Sequence, residues 1–265
     1  MKPLNFKKLQ KKDLFVFDLD GTLIETKSPL EDDMSELITW LLKVKKVAII
    51  GGGKYDIFQE LFIRKLKCPR ELLKNLFLFP TTATSFYRYN NGWKNVYAKL
   101  LTISEKNKIK KAFLDVFREM GYNHPKKTYG QIIEDRGTQV SFSVYGQDLV
   151  RVLGDKGVRI KKKWIKDKNN LKTKMKIARL MAKKLPNLKV VAAGFTTIDV
   201  TRRGIDKAYG IHQIQKHLRI PINNMFFIGD AIFPGGNDYA IVKTGVDYAA
   251  VKGPAETKKI ILQIL

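Results

Sequence analysis

Two aspartates stand one residue apart in FVFDLDGTL, residues 15–23, at the end of an apolar run. Asp18 falls where a buried strand delivers its end, and FFIG at residues 226–229 delivers Asp230 in the same way. If the two strands are neighbours, the carboxylates converge, and two such anions a few ångströms apart cannot both stay ionised without a cation. Mg²⁺ is the fitting one. It takes oxygen ligands in octahedral geometry, keeps several waters, and commonly uses one or two carboxylates plus a substrate phosphate. A lone Asp-x-Asp-Gly also reads as a turn. Lys207 in GIDKAYG and the acids and amide of GDAIFPGGND, residues 229–238, weigh against that simpler reading.

The elements that must hold these residues follow from periodicity. Short buried-strand signals recur at residues 14–17, 47–50, 189–193, 225–228 and 246–251, each followed by small or acidic residues and then a helical pattern. That grammar predicts a parallel α/β sheet, in which ligands bind beyond the carboxyl ends of the strands. Residues 33–44 and 205–218 place their apolar side chains on one helical face. Between residues 82 and 187 the grammar changes. FYRYNNGWKNVYAKL reads as a hairpin about Asn90-Asn91-Gly92, and TQVSFSV alternates Val140, Phe142 and Val144 with Gln139, Ser141 and Ser143. The expected organisation is a core domain of residues 1–81 and 188–265, with an inserted α+β cap at 82–187 and hinges at 80–84 and 185–188.

DLDGTL, a later lysine, and GD followed by GGND resemble the haloacid dehalogenase superfamily of phosphoryl-transfer enzymes. The order and spacing of these motifs span the chain, and the insert resembles the type IIB cap carried on a Rossmann-like core. GFTTIDVTRRGIDKAYGI, GDAIFPGGND and EDRGTQVSFSVYGQ are similar to segments of eukaryotic-type phosphomannomutases and their bacterial relatives. The resemblance implies Asp18 as the nucleophile that forms an aspartyl-phosphate, Asp20 as general acid and base, and Lys207 as the cation that neutralises the phosphoryl oxygens. It implies Asp18, Asp230 and the main-chain oxygen of Asp20 as Mg²⁺ ligands, with Thr22, Asn237 and Asp238 supporting them. Thr197 and Asp199 match the residues that hold sugar hydroxyls, and Arg136 matches the first cap arginine.

Two positions depart from the family pattern. Gln147 stands where a second arginine is expected, which weakens a bidentate grip on a second phosphate. Gly51, Gly52, Gly53 and Lys54 stand where a Ser or Thr usually ends the second strand, so backbone N–H groups there would bind the phosphate. On these departures a sugar-phosphate phosphatase is placed ahead of a mutase that interconverts mannose 1- and 6-phosphates. A nonenzymatic basic binding protein is the third reading.

Composition bounds the partners. Fifty basic residues against 25 acidic give a formal charge of +25, which concentrates anions, phosphate esters included. No nucleic-acid recognition motif with interleaved aromatics accompanies the charge, so the expected partner is a phosphorylated sugar and not nucleic acid. Neither a secretory signal nor a run of about 18 apolar residues is present, which points to a cytoplasmic protein without membrane contact. The single cysteine, Cys68, excludes an intramolecular disulfide. A homodimer through the cap is compatible with this reading.

Overall fold

A computed structural model describes residues 9–265. The chain folds as two units, one made of the chain up to Ala98 together with Ile205–Leu265, the other of Lys99–Gly204. In chain order, β1 (Leu14–Asp18), β2 (Lys46–Ile50), β3 (Leu76–Phe79), β4 (Ser85–Tyr89) and β5 (Trp93–Ala98) belong to the first unit. The second unit holds β6 (Ile133–Asp135), β7 (Val140–Ser143), β8 (Leu188–Val191) and β9 (Thr197–Arg202), and the first resumes with β10 (Met225–Gly229) and β11 (Asp247–Ala250).

Among the described residues the first unit carries a seven-stranded sheet in the order β11-β10-β1-β2-β3-β4-β5. Pairing is parallel from β11 to β3 and antiparallel beyond it. Alternate residues of the parallel strands enter different cores, which explains their unbroken apolar character. Phe15, Phe17, Val47 and Ile49 pack on one side with the helices Asp32–Val44 and Pro254–Ile264, while Leu14, Val16, Ala48 and Ile50 pack on the other with the helix Lys207–Leu218. The chain leaves β1 towards β2 on one side and returns as β10 on the other. The ends of β1 and β10 therefore flank the switch point where such sheets bind ligands.

The second unit is built on the antiparallel sheet β6-β7-β9-β8. Val140, Phe142, Ile198 and Val200 face the helices Ile103–Met120 and Lys168–Lys184, meeting Phe113, Phe117, Ile177 and Met181 in one core. The first helix is closed at both ends. Thr102 and Glu105 form a reciprocal capping box, and Gly121 ends it in the left-handed conformation.

Three expectations differ from these observations. Residues 189–193 do not form a parallel core strand, because β8 pairs antiparallel with β9 in the second unit and Val190 packs against that unit's core. The hairpin about Asn90-Asn91-Gly92 does form, but β4 and β5 extend the core sheet, and Trp93 packs against the first unit's core. The division of the chain accordingly falls at 98/99 and 204/205 instead of 81/82 and 187/188. Residues 80–84 lie inside the first unit, where the amides of Thr81 and Thr82 bond the carbonyls of Gly53 and Gly51, both at 2.9 Å, so this segment braces the glycine turn.

Candidate active site

Register brings the acids together. Asp18 ends β1, whose residues Leu14–Phe17 pair with Met225–Ile228 of β10, and Asp230 follows β10 by one residue past Gly229. Side-chain oxygens of Asp18, Asp230 and Asp238 lie within 4.8 Å of one another. Two glycines make this approach possible. A Cβ on Gly229 would lie 2.3 Å from Asp238 Oδ2, and one on Gly21, whose φ is +80°, would lie 2.5 Å from Asp230 Oδ2. Asp238 is fixed in turn by the Ala231 amide, which donates to its Oδ2 at 3.1 Å.

Lys207 reaches the same point from the first turn of its helix. The Asp206 side chain caps that helix by accepting the Tyr209 amide at 2.9 Å, and a first-turn side chain leans back past the helix start. The helix sits close to the sheet because Gly210 lacks a Cβ, which would lie 3.0 Å from Ile50 Cδ1. The Lys207 ammonium pairs with both Asp18 and Asp238, and all three residues are at most 4 % exposed.

Burial pushes the Asp18 carboxyl well above its ordinary range; Lys207 pulls it back, and the charges of Asp238 and Asp230 add to the rise. Burial also acts against the Lys207 ammonium, but the Asp18 and Asp238 carboxylates outweigh it, and its pKa moves upward. Asp230 is exposed as a residue, yet its carboxyl end faces the cluster. Desolvation there, with the Asp238 charge, pushes its pKa up to about 6. Three carboxylates thus gather around one ammonium, which pairs with Asp18 and Asp238, and Asp230 is the exposed residue of the three. This donor set fits a divalent cation held by Asp18 and Asp230, with Asp238 committed to Lys207 and the Ala231 amide.

The other expected residues divide between the units. The Asp20 carboxylate is not part of the trio and accepts the Lys27 amide at 2.7 Å. Thr22 is fully buried, and its hydroxyl has no hydrogen-bond partner among the described residues, while Asn237 is exposed. Gly51 follows Ile50, which pairs with Asp18, so the turn Gly51-Gly52-Gly53-Lys54 borders the end of β1. The Gly51 amide is engaged by Phe79 O at 3.3 Å, and Lys54 lies 3.7 Å from Asp56. Thr81, Thr82 and Ala83, which brace the turn, are three consecutive non-glycine residues with positive φ. That conformation costs about 1–2 kcal/mol per residue. Nothing in the residue types of PTTAT signals it.

Within the second unit, strand register gathers Glu134, Ser141, Thr197 and Asp199, and side-chain hydrogen bonds add Arg136 and Gln147. Ser141 pairs with Glu134 on one side and Asp199 on the other, and Ser143 pairs with Thr197, so these residues share the sheet face opposite the core. The Arg136 guanidinium donates to Glu134 Oε2 at 2.8 Å and to Gln147 Oε1 at 2.9 Å. The Ser141 hydroxyl donates to Asp199 Oδ1 at 2.6 Å. Glu134 and Ser141 were not among the expected site residues. The alternation of TQVSFSV places Ser141 on the polar face, but only strand register shows that it meets Asp199.

Comparisons with known proteins bear on the family and the fold. The phosphomannomutase of Encephalitozoon cuniculi is 26 % identical over 256 residues, covering 96 % of this chain and 94 % of that protein. Among solved structures, an N-terminally truncated IMP-nucleotidase of Plasmodium falciparum superposes with a TM-score of 0.70 at 18 % identity, covering 98 % of this chain and 72 % of that one. A haloacid dehalogenase-like hydrolase from Bacteroides thetaiotaomicron superposes with a TM-score of 0.62 at 14 % identity, covering 96 % of this chain and all of that one. These two likenesses establish the fold, a haloacid dehalogenase-type α/β core with a second α+β unit. The family model described as eukaryotic phosphomannomutase matches residues 34–265, and the chain belongs to that family of phosphoryl-transfer enzymes.

Proposed function

We propose that the protein is a Mg²⁺-dependent phosphomannomutase that interconverts mannose 1-phosphate and mannose 6-phosphate through an aspartyl-phosphate on Asp18. The observation that carries this reading is the buried Asp18–Lys207–Asp238 cluster, with Asp230 beside it, in a chain matched by the phosphomannomutase family over residues 34–265. The family match and the relatives' names put the mutase ahead of the phosphatase that Gln147 and the glycine turn alone would favour.

In this reading an Asp18 oxygen attacks phosphorus as the P–O bond to the donor sugar breaks, and the Asp20 carboxylic acid gives its proton to the leaving oxygen. The hydroxyl of a sugar monophosphate then attacks the same phosphorus. Asp20 takes the hydroxyl proton, the acyl-phosphate bond breaks, and Asp18 returns as a carboxylate. The resulting bisphosphate turns end for end and gives its other phosphoryl group back to Asp18. Asp18 and Asp230 would hold a divalent cation, which when bound would supply charge neutralisation to the transferring group and to Asp18. Lys207 supplies a fixed positive charge at the nucleophile, where burial strengthens its effect. Gly52, Gly53 and Lys54 cradle the phosphoryl oxygens while the Gly51 amide, bonded to Phe79 O, holds the turn against β3; Thr197 and Asp199 hold sugar hydroxyls, and Arg136, oriented by Glu134 and Gln147, receives the second phosphate.

Hydrolysis is the second reading, and Gln147 favours it, because one cap guanidinium grips a bisphosphate less firmly than two. Product analysis separates the readings. With Mg²⁺ and mannose 1-phosphate, a trace of glucose 1,6-bisphosphate should be required for mannose 6-phosphate to form, and Asp18→Asn should form none. Free phosphate without isomer would transfer the reading to a phosphatase.

A further inference from the structure

Lys174, on the helix Lys168–Lys184, is 4 % exposed, and its partners are carbonyls rather than a carboxylate. Its ammonium donates to the oxygens of Ala193 at 3.0 Å, Gly194 at 2.6 Å and Phe195 at 3.5 Å, engaging all three of its N–H donors. The three carbonyls converge because Gly194 turns the chain at a φ of +46°. The Ala193 oxygen also accepts the Thr197 amide at 3.2 Å, and the next carbonyl along, that of Thr196, accepts the Val144 amide at 3.1 Å. One buried cation therefore fixes the turn and, through a shared carbonyl, the first residue of β9.

Burying an ammonium is costly. Burial holds the Lys174 pKa down to about 8, with the Asp199 charge acting in the opposite direction. An unbranched apolar side chain would fill the same space without that cost, so what the lysine adds is its hold on the carbonyls. Two residues beyond Thr197, Asp199 is set by the Ser141 hydroxyl.

We propose that Lys174 is the positioning residue for Thr197 and Asp199, holding the Ala193–Phe195 turn so that both side chains stand ready for the sugar. The functional half of this proposal rests on the reading that Thr197 and Asp199 meet sugar hydroxyls; the structural half does not.

The test uses the full chain with Lys174→Met, which removes the donors and keeps the stem, and Lys174→Arg, which restores donors. Amide hydrogen exchange at residues 194–199 should accelerate about tenfold or more in the Met variant and return towards wild type with Arg. The KM for mannose 1-phosphate should rise about tenfold with kcat little changed, while turnover of p-nitrophenyl phosphate, which has no sugar, stays within about twofold. Unchanged exchange would overturn the proposal, as would equal losses on both substrates accompanied by a general drop in Tm. If the Met variant does not fold, the same comparison is made with Lys174→Gln, which keeps two N–H donors. Wild-type turnover of p-nitrophenyl phosphate without any of mannose 1-phosphate would remove the sugar reading, and exchange would still decide the clamp.

Discussion

Asp230 is the residue through which pH and metal should be coupled. Its folded pKa of about 6 lies above the ordinary carboxylate value, so the folded state binds this proton more tightly than the unfolded chain does. Without metal, the stability contributed here is present at low pH and lost as pH rises from about 4 through about 6. A divalent cation competes with that proton. The rise in Tm on adding Mg²⁺ should therefore be larger at pH 7.5 than at pH 5, and an equal rise at both would contradict the assignment. Asp20→Ala, which removes the proposed proton donor outside the aspartate trio, should lower kcat by about 10²–10⁴-fold and leave Tm nearly unchanged, as steady-state kinetics and thermal melts would show. At this scale the sequence was most informative. Asp18, Lys207, Asp230 and Asp238 each stand out by type and motif, and the fold brings all four together. Lys174 could not be found that way, since one lysine in a lysine-rich helix gives no sign of being buried.

The strands make the site, because β1 and β10 are neighbours and end at the same level. Gly229 sits where the loop after β10 folds back on its own strand, with Asp238 Oδ2 at 2.3 Å and Phe227 Cε1 at 2.7 Å from the position a Cβ would take. Gly229→Ala should displace Asp238 and with it Lys207. The expected loss in kcat is about 100-fold, with a cost of about 1–3 kcal/mol in stability. Wild-type kcat in a folded Gly229→Ala protein would show that Asp238 does not order the cluster. Periodicity revealed the parallel strands because burial on both faces leaves an unbroken apolar run. It could not assign residues 189–193, since a half-buried antiparallel strand of Lys, Val and Ala reads the same way. Nor could it assign the hairpin, whose aromatic residues would suit either sheet.

Across the whole molecule the chain carries a formal charge of +25. It should steer anionic substrates towards the protein and be screened by salt. Between about 10 mM and 300 mM NaCl, kcat/KM for a sugar phosphate should fall several-fold with kcat nearly constant, since the Debye length shrinks from about 30 Å to below 8 Å. A flat profile would mean that the excess charge lies away from the route of entry. Two units were evident from the change in sequence grammar, but their boundary was not. The shift in composition marks where antiparallel strands begin, and the core sheet itself continues into two of them.

The central claim is that Asp18 carries the phosphoryl group between sugars. The most direct measurement is to mix the protein with Mg²⁺ and glucose 1,6-bisphosphate, quench within milliseconds, reduce with borohydride and sequence the product by mass spectrometry. Borohydride converts an aspartyl-phosphate to homoserine, so the account predicts homoserine at position 18 and nowhere else. Turnover with an unmodified Asp18, or with the modification at another acid, would contradict it.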